Sequence, residues 1–129
     1  MDTIAEFLTR LRNAGMAGHD KVDIPSSNMR TGLAQILMNK GYIRNFKVVR
    51  DTRQGMMRVY LKYDQSGNHA IEVVKRMSRP GRRYYVQVSD IPVVRSGFGI
   101  SILSTSKGLM SSDDAIKANL GGELICKIW

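Results

Sequence analysis

The sequence predicts an α+β fold: a small α/β domain of order αβαββ over residues 1–66, packed on a mainly antiparallel β domain with one short helix over 67–129. Three observations predict it. In the first half, apolar residues recur twice at helical spacing and then switch to strict alternation. The second half breaks into short apolar runs separated by Gly, Pro and Ser, the punctuation of antiparallel strands. The chain has 129 residues, about a quarter of them Leu, Ile, Val or Phe, above the roughly 20% below which chains tend to stay disordered.

Each element has its own signal. Ile4, Phe7, Leu8 and Leu11 fall on one helical face, Thr3 and Glu6 fit a capping box, and Gly15 is the expected stop. Residues 22–25 read as a short extended piece. A second helix is capped by Ser26 or Ser27, carries the apolar stripe Met29, Leu33, Ile36 and Leu37, and stops at Gly41. Residues 42–50 read as a strand. After a turn at 51–55, Met57, Val59, Leu61 and Tyr63 alternate with Arg58, Tyr60 and Lys62, which makes a hairpin with one wet face. The polar turn Asp64-Gln65-Ser66-Gly67-Asn68 is the expected domain boundary. Beyond it, 70–77 and 83–88 read as strands joined through Ser78-Arg79-Pro80-Gly81, whose Pro-Gly pair suits a tight turn. Residues 100–103 and 124–129 are two more strands. Between them lies a short helix with Ser112 as cap, Asp113 and Asp114 in its first turn and Gly121 past its end.

Charge narrows the partner class. Twenty Lys and Arg stand against eleven Asp and Glu, a formal charge of +9. Such a balance draws a protein towards polyanions. In the second half the excess is concentrated: Lys75, Arg76, Arg79, Arg82, Arg83 and Arg95 face only Asp90, with Tyr84 and Tyr85 among them. Arginine pairs with phosphate bidentately and tyrosine offers a ring for stacking, so the mixture suits nucleic acid. The same residues also suit a solvated strand face.

Other classes fall away. The longest uncharged candidate, 96–106, holds four serines and a threonine and is far shorter than the roughly 18 apolar residues of a membrane helix. The opening MDTIAEF is acidic where a signal peptide is basic, so a cytoplasmic or organelle-interior location is expected. Cys126 is the single cysteine and reads as a small buried hydrophobe. His19 and His69 lie apart among loop formers, so no metal or cofactor site is expected. Gly97-Phe98-Gly99 begins like a dinucleotide fingerprint, yet Ile102 stands at its third glycine position; Lys107 is followed by Gly108, where a phosphate-binding loop needs Ser or Thr. No histidine stands near Ser104 or Ser106 to act as base. The chain reads as a non-enzyme.

Two features remain. Ser104-Thr105-Ser106-Lys107-Gly108 is a compact, donor-rich loop able to approach a sugar-phosphate backbone, although Ser and Thr before a helix also suit capping. Glu123 follows the uncommon pair Gly121-Gly122, and an acid beside flexible backbone can accept hydrogen bonds from base amino groups or 2′-hydroxyls; a plain strand start is the other reading.

These blocks resemble the bacterial family of protein eight of the small ribosomal subunit, along essentially the whole chain. The strongest is Ser104-Thr105-Ser106-Lys107-Gly108-Leu109-Met110 with Ala115 at the family spacing. Asp2, Ile4-Ala5 and Thr9-Arg10-Leu11-Arg12-Asn13, then Pro25-Ser26-Ser27, Ser78-Arg79-Pro80-Gly81, Gly97-Phe98-Gly99-Ile100 and Leu120-Gly121-Gly122-Glu123 follow in family order. The resemblance implies a structural protein and primary rRNA binder that holds an irregular helix in the central domain of small-subunit rRNA and nucleates platform assembly. It maps base and sugar contacts onto Ser104, Thr105, Ser106, Lys107 and Gly108, with Tyr85 and Glu123 beside them; Arg79 would serve as a peripheral cation. Backbone contacts map onto Arg12, Asn13, Ser26, Ser27 and Arg30 of the first domain. The implied partners are the rRNA, neighbouring small-subunit proteins, notably protein five, and an operon mRNA through which some members repress their own synthesis. Asn28 departs from the lysine common after Pro-Ser-Ser, which leaves Arg30 as the cation expected in its place, and Tyr84 replaces a frequent aliphatic. A general nucleic-acid chaperone and a basic nuclease are the competing classes.

Overall fold

The computed structural model describes residues 3–49, 55–92 and 99–129. The side chain of Thr3, expected to cap the first helix, residues 50–54, read as the end of a strand and the start of a turn, and Arg95 with Gly97-Phe98 lie outside the described residues. Helices and antiparallel sheets alternate as α1 Thr3–Met16, β1 Lys21–Pro25, α2 Asn28–Asn39, β2 Ile43–Val49, β3 Met56–Leu61, β4 Val74–Arg76, β5 Tyr85–Val86, a 3₁₀ turn Val88–Asp90, β6 Ile100–Thr105, β7 Gly108–Ser111, α3 Ser112–Lys117 and β8 Gly122–Ile128. They form two compact units, Thr3–Glu72 and Val73–Trp129.

The first unit has the expected αβαββ order, with an antiparallel sheet β1-β3-β2. Met57, Val59 and Leu61 bury one face of β3 while Arg58 and Tyr60 stay partly exposed, so the alternation in the sequence is the pleat itself. Phe7, Leu8 and Leu11 of α1 are fully buried, as are Leu33, Ala34 and Leu37 of α2. Two expectations shift. Helix α1 runs through Gly15 to Met16, and its left-handed residue is Gly18 at φ 77°. Gly15 is small for another reason: a Cβ there would sit 2.0 Å from Nδ1 of His69. In α2 the buried stripe includes Arg30 and leaves Met29 43% exposed. Ser27 is the cap, accepting a hydrogen bond from the Arg30 amide at 3.1 Å, and Gly41 turns the chain at φ 81°. The polar turn belongs to this unit, because Asp64 Oδ1 accepts from the Ser66 and Asn68 amides and returns the chain to pair Tyr63 with His69. The chain therefore passes to the second unit after Glu72, beyond the turn.

The second unit is one antiparallel sheet, β4-β8-β6-β7, with β5 also pairing β8. Ile91, Leu103, Ala115 and Leu124 form one buried cluster of its core, joined by Met77, Val86, Val88 and Met110, and Ile100, Ile102, Ile125 and Ile128 are buried besides. Cys126 is buried in β8, as expected. The strand expected over 70–77 is regular only at Val74–Arg76, and the one over 83–88 only at Tyr85–Val86, the stretches over which each keeps ladder register with β8. Strand β7 was hidden in the sequence by its mixture of Gly, Met and Ser. The cap of α3 is Ser111, not Ser112; the Ser112 hydroxyl instead accepts from the Ser101 amide. The register of β6 on β8 slips between Ile102 and Leu103, leaving Ile125 as an extra residue. Its freed carbonyl accepts from the Met77 and Ser78 amides and from Arg76.

Candidate nucleic-acid interface

Strand register assembles the second unit's candidate residues. Tyr85 on β5 stands opposite Glu123 on β8, Glu123 opposite Ser104 on β6, and Ser104 opposite Leu109 on β7. Directly opposed residues on antiparallel strands project from the same face, roughly 4.5–5.5 Å apart. Tyr85, Glu123 and Ser104 therefore form one transverse row, and Tyr85 is 69% exposed at its end.

The serine-rich segment is a hairpin, not a helix-capping loop. Thr105 pairs with Gly108 across Ser106 and Lys107, which form the turn. The Thr105 hydroxyl is spent inside it, donating to the Gly108 carbonyl at 2.9 Å and accepting from the Lys107 amide at 3.1 Å. Gly108 sits at φ 102°, where side chains are strained, with open space around it. The hydroxyls of Ser104 and Ser106 have no partner among the described residues, and Ser106, Lys107 and Gly108 are exposed. The turn thus presents one neutral hydroxyl, that of Ser106, and one ammonium to solvent, with the partly exposed Ser104 hydroxyl beside them on β6.

Glu123 is held in place. The Ser78 hydroxyl donates to its Oε2, and the Arg83 guanidinium donates to the same atom at 3.0 Å. The Ser78 hydroxyl, with the Arg83 guanidinium second, holds this carboxyl below the usual carboxylate range, although partial burial opposes them. The Ser78 oxygen also accepts from the Tyr84 amide, tying the carboxylate to the arm that carries Tyr85. Ser78 and Arg83 are positioning residues that the sequence did not single out for this role, since only the register brings them to Glu123. The preceding glycines are close-packed, where flexibility was expected: a Cβ on Gly121 would lie 2.5 Å from the Val86 carbonyl oxygen, and one on Gly122 2.3 Å from that of Ser104. Only glycine lets β8 slide between β5 and β6 here.

Arg79 and Arg82 bond backbone to backbone across Pro80-Gly81, so both side chains flank a tight turn and are exposed. With Lys75, Arg76, Met77 and Tyr84 they line an open groove of about 270 Å³.

In the first unit the candidates divide. Asn13 is exposed on α1, and Arg12 is half-buried with its Nε unpartnered among the described residues. Ser26 and Ser27 precede α2, but the Ser27 hydroxyl is occupied as the cap. Arg30 is 6% exposed, donates to the Pro25 carbonyl at 2.8 Å and lies 3.5 Å from the Glu6 carboxylate. It ties α1, β1 and α2 together and cannot stand in for an exposed phosphate-binding lysine at Asn28.

The family profile described as Ribosomal protein S8 matches residues 2–129. The chain belongs to the ribosomal protein S8 family. A small ribosomal subunit protein uS8 from Bdellovibrio bacteriovorus is 60% identical over 129 residues, 100% of both chains. Proteins of the same name from Geotalea daltonii and Geobacter sulfurreducens are 53% and 52% identical over 128 residues, covering 99% of this chain and 97% of each relative. In this S8-family chain the blocks that carried the resemblance coincide with structural joints: the β6–β7 hairpin, the Gly-Gly entry to β8 and the Arg79–Arg82 turn. Among the described residues no helix is long and apolar enough to cross a membrane. No cluster of metal-ligating side chains occurs among the described residues.

Proposed function

We propose that this chain, a small-subunit ribosomal protein by family, binds an irregular helix in the central domain of small-subunit rRNA and so nucleates assembly of the platform. One observation carries the reading: an exposed ring, an ionised acceptor and an unpartnered hydroxyl stand in one row, Tyr85, Glu123 and Ser104, beside the Ser106-Lys107 turn. An internal loop in RNA displays unstacked bases and 2′-hydroxyls in a shallow groove. Tyr85 would stack, Glu123 would accept from an amino group or 2′-hydroxyl, and Ser104 and Ser106 would read the groove with donors that carry no charge. Arg79 and Arg82 would neutralise phosphates at the periphery. Asn13, Arg12 and Ser26 would add backbone contacts from the first unit.

The remaining parts of the proposal are a cytoplasmic, ribosome-bound location, contact with protein five of the small subunit, and repression of an operon mRNA that presents the same RNA shape. Footprinting on whole small-subunit rRNA tests the main claim. Protection confined to one irregular central-domain helix is expected, and protection scattered over many helices would overturn it. A duplex DNA of equal length that competes as well as the rRNA fragment would favour a general nucleic-acid binder. Metal-dependent cleavage by the purified protein would favour a nuclease.

A further inference from the structure

The first unit carries a second cationic surface, on the face of its sheet opposite the buried one. Lys21, Tyr60 and Asn45 form one transverse row, and Asp23, Arg58 and Lys47 the next. Asp23 is already satisfied, because Arg58 donates to both its oxygens at 2.8 and 3.1 Å. That leaves Lys21, Arg44 and Lys47 exposed and without an ion pair among the described residues. Two of these cations are not loose. The Arg44 guanidinium carbon lies 5.6 Å and the Lys47 ammonium 5.8 Å from the centroid of the Tyr60 ring. The irregularity in register between Ile43 and Asn45 falls at Arg44.

We propose that this face is a separate contact for the sugar-phosphate backbone of double-stranded RNA, with Arg44, Lys47 and Lys21 as phosphate ligands and Tyr60 as the residue that positions the first two. Charge complementarity identifies the partner class: cations from the two outer strands, roughly 10 Å apart across the sheet, surround one neutralised acid. The form of RNA follows from the ring. Tyr60 is partly buried and already engaged by two cations, so it offers no free face on which a splayed base would stack. The surface therefore suits phosphates of a regular duplex. Ring-held cations also lose less side-chain freedom on binding than solvated ones. None of these residues belongs to the row on the second unit, so either proposal can fail without the other.

The test is fluorescence anisotropy of the full chain on a regular, fully paired RNA duplex lacking any internal loop, across a salt series. The joint change of Arg44→Ala and Lys47→Ala is expected to weaken duplex binding about tenfold at low salt and to reduce the salt slope by roughly 1.8, about 0.9 for each phosphate that is no longer neutralised. Lys47→Gln alone should remove half of that slope. Tyr60→Leu should weaken binding severalfold with the fold intact by circular dichroism, whereas Tyr60→Phe, which keeps the ring, should match the wild type. Ser106→Ala should leave regular-duplex binding unchanged. Wild-type affinity and slope in the doubly substituted protein would overturn the proposal. So would intact duplex binding accompanied by loss of association with another ribosomal protein, which would make the face a protein-binding surface.

Discussion

Glu123 and Ser106 are made available in two different ways for the recognition role proposed for them. The carboxylate is fixed and ionised by its neighbours, whereas the serine hydroxyl is left open by a turn that another hydroxyl, that of Thr105, already closes. Removing a neutral hydrogen bond should cost affinity without touching counterion release. Ser106→Ala is therefore expected to weaken binding to the irregular rRNA helix with an unchanged salt slope in filter binding. Arg79→Ala should lower the slope by up to about 1, because one fewer phosphate is neutralised. Equal effects of both changes on non-cognate RNA would remove this division of labour. Arg30 belongs to neither class. Arg30→Met is expected to lower unfolding free energy by about 1–3 kcal/mol, since the Pro25 carbonyl loses its buried donor and Glu6 a nearby cation. Its salt slope on RNA should stay at the wild-type value.

At the scale of elements, the sequence shows most of what patterning controls and little of what register controls. Helix α1, most of α2 and strand β3 are legible because their apolar period matches their buried faces. The cap at Ser27 is legible because its chemistry is local. Strand β7 is not, since four residues of Gly, Leu, Met and Ser gain their order from β6 alone. Residues 104–108 were visible as a hydroxyl-rich block, yet their hairpin geometry, and the fact that Thr105 is consumed by it, follow only from cross-strand pairing. Likewise Gly121 and Gly122 signalled backbone behaviour without revealing that neighbouring strands press against them. Gly122→Ala should force β8 away from the Ser104 carbonyl and lower stability by about 1–3 kcal/mol in urea unfolding. Because Ser104 and Glu123 are paired at that point, RNA affinity should fall with it. A variant that binds and unfolds like the wild type would show that the close approach is dispensable.

On the scale of the whole molecule, acid sensitivity has a source in the first unit, at a residue that takes no part in the proposed interface. His69 is 9% exposed; desolvation lowers its pKa, although the hydrogen bond from its Nδ1 to the Ile71 carbonyl, at 3.1 Å, opposes that shift. The folded state thus binds this proton less readily than the unfolded chain. Its contribution to stability is complete above the ordinary histidine pKa of about 6.5 and is lost as pH falls from there towards the lowered folded value. Urea midpoints should decline from pH 7 to pH 5.5, and His69→Gln should flatten that decline; an equally steep decline in the variant would place the effect elsewhere. Glu123 acts lower, its contribution being present above about pH 4.5 and lost as pH falls through its depressed value. The transverse row also has a consequence in time. Strand β8 is the last in chain order; β4 and β5 have it as their partner strand, and β6, which also pairs β7, joins them only through it. During synthesis, Tyr85 and Ser104 emerge long before Glu123 arrives to align them. A chain stopped before β8 therefore keeps the β6–β7 hairpin but lacks Glu123 and the strand that sets Tyr85 and Ser104 in line, so the row proposed to read RNA is complete only once the last strand is in place.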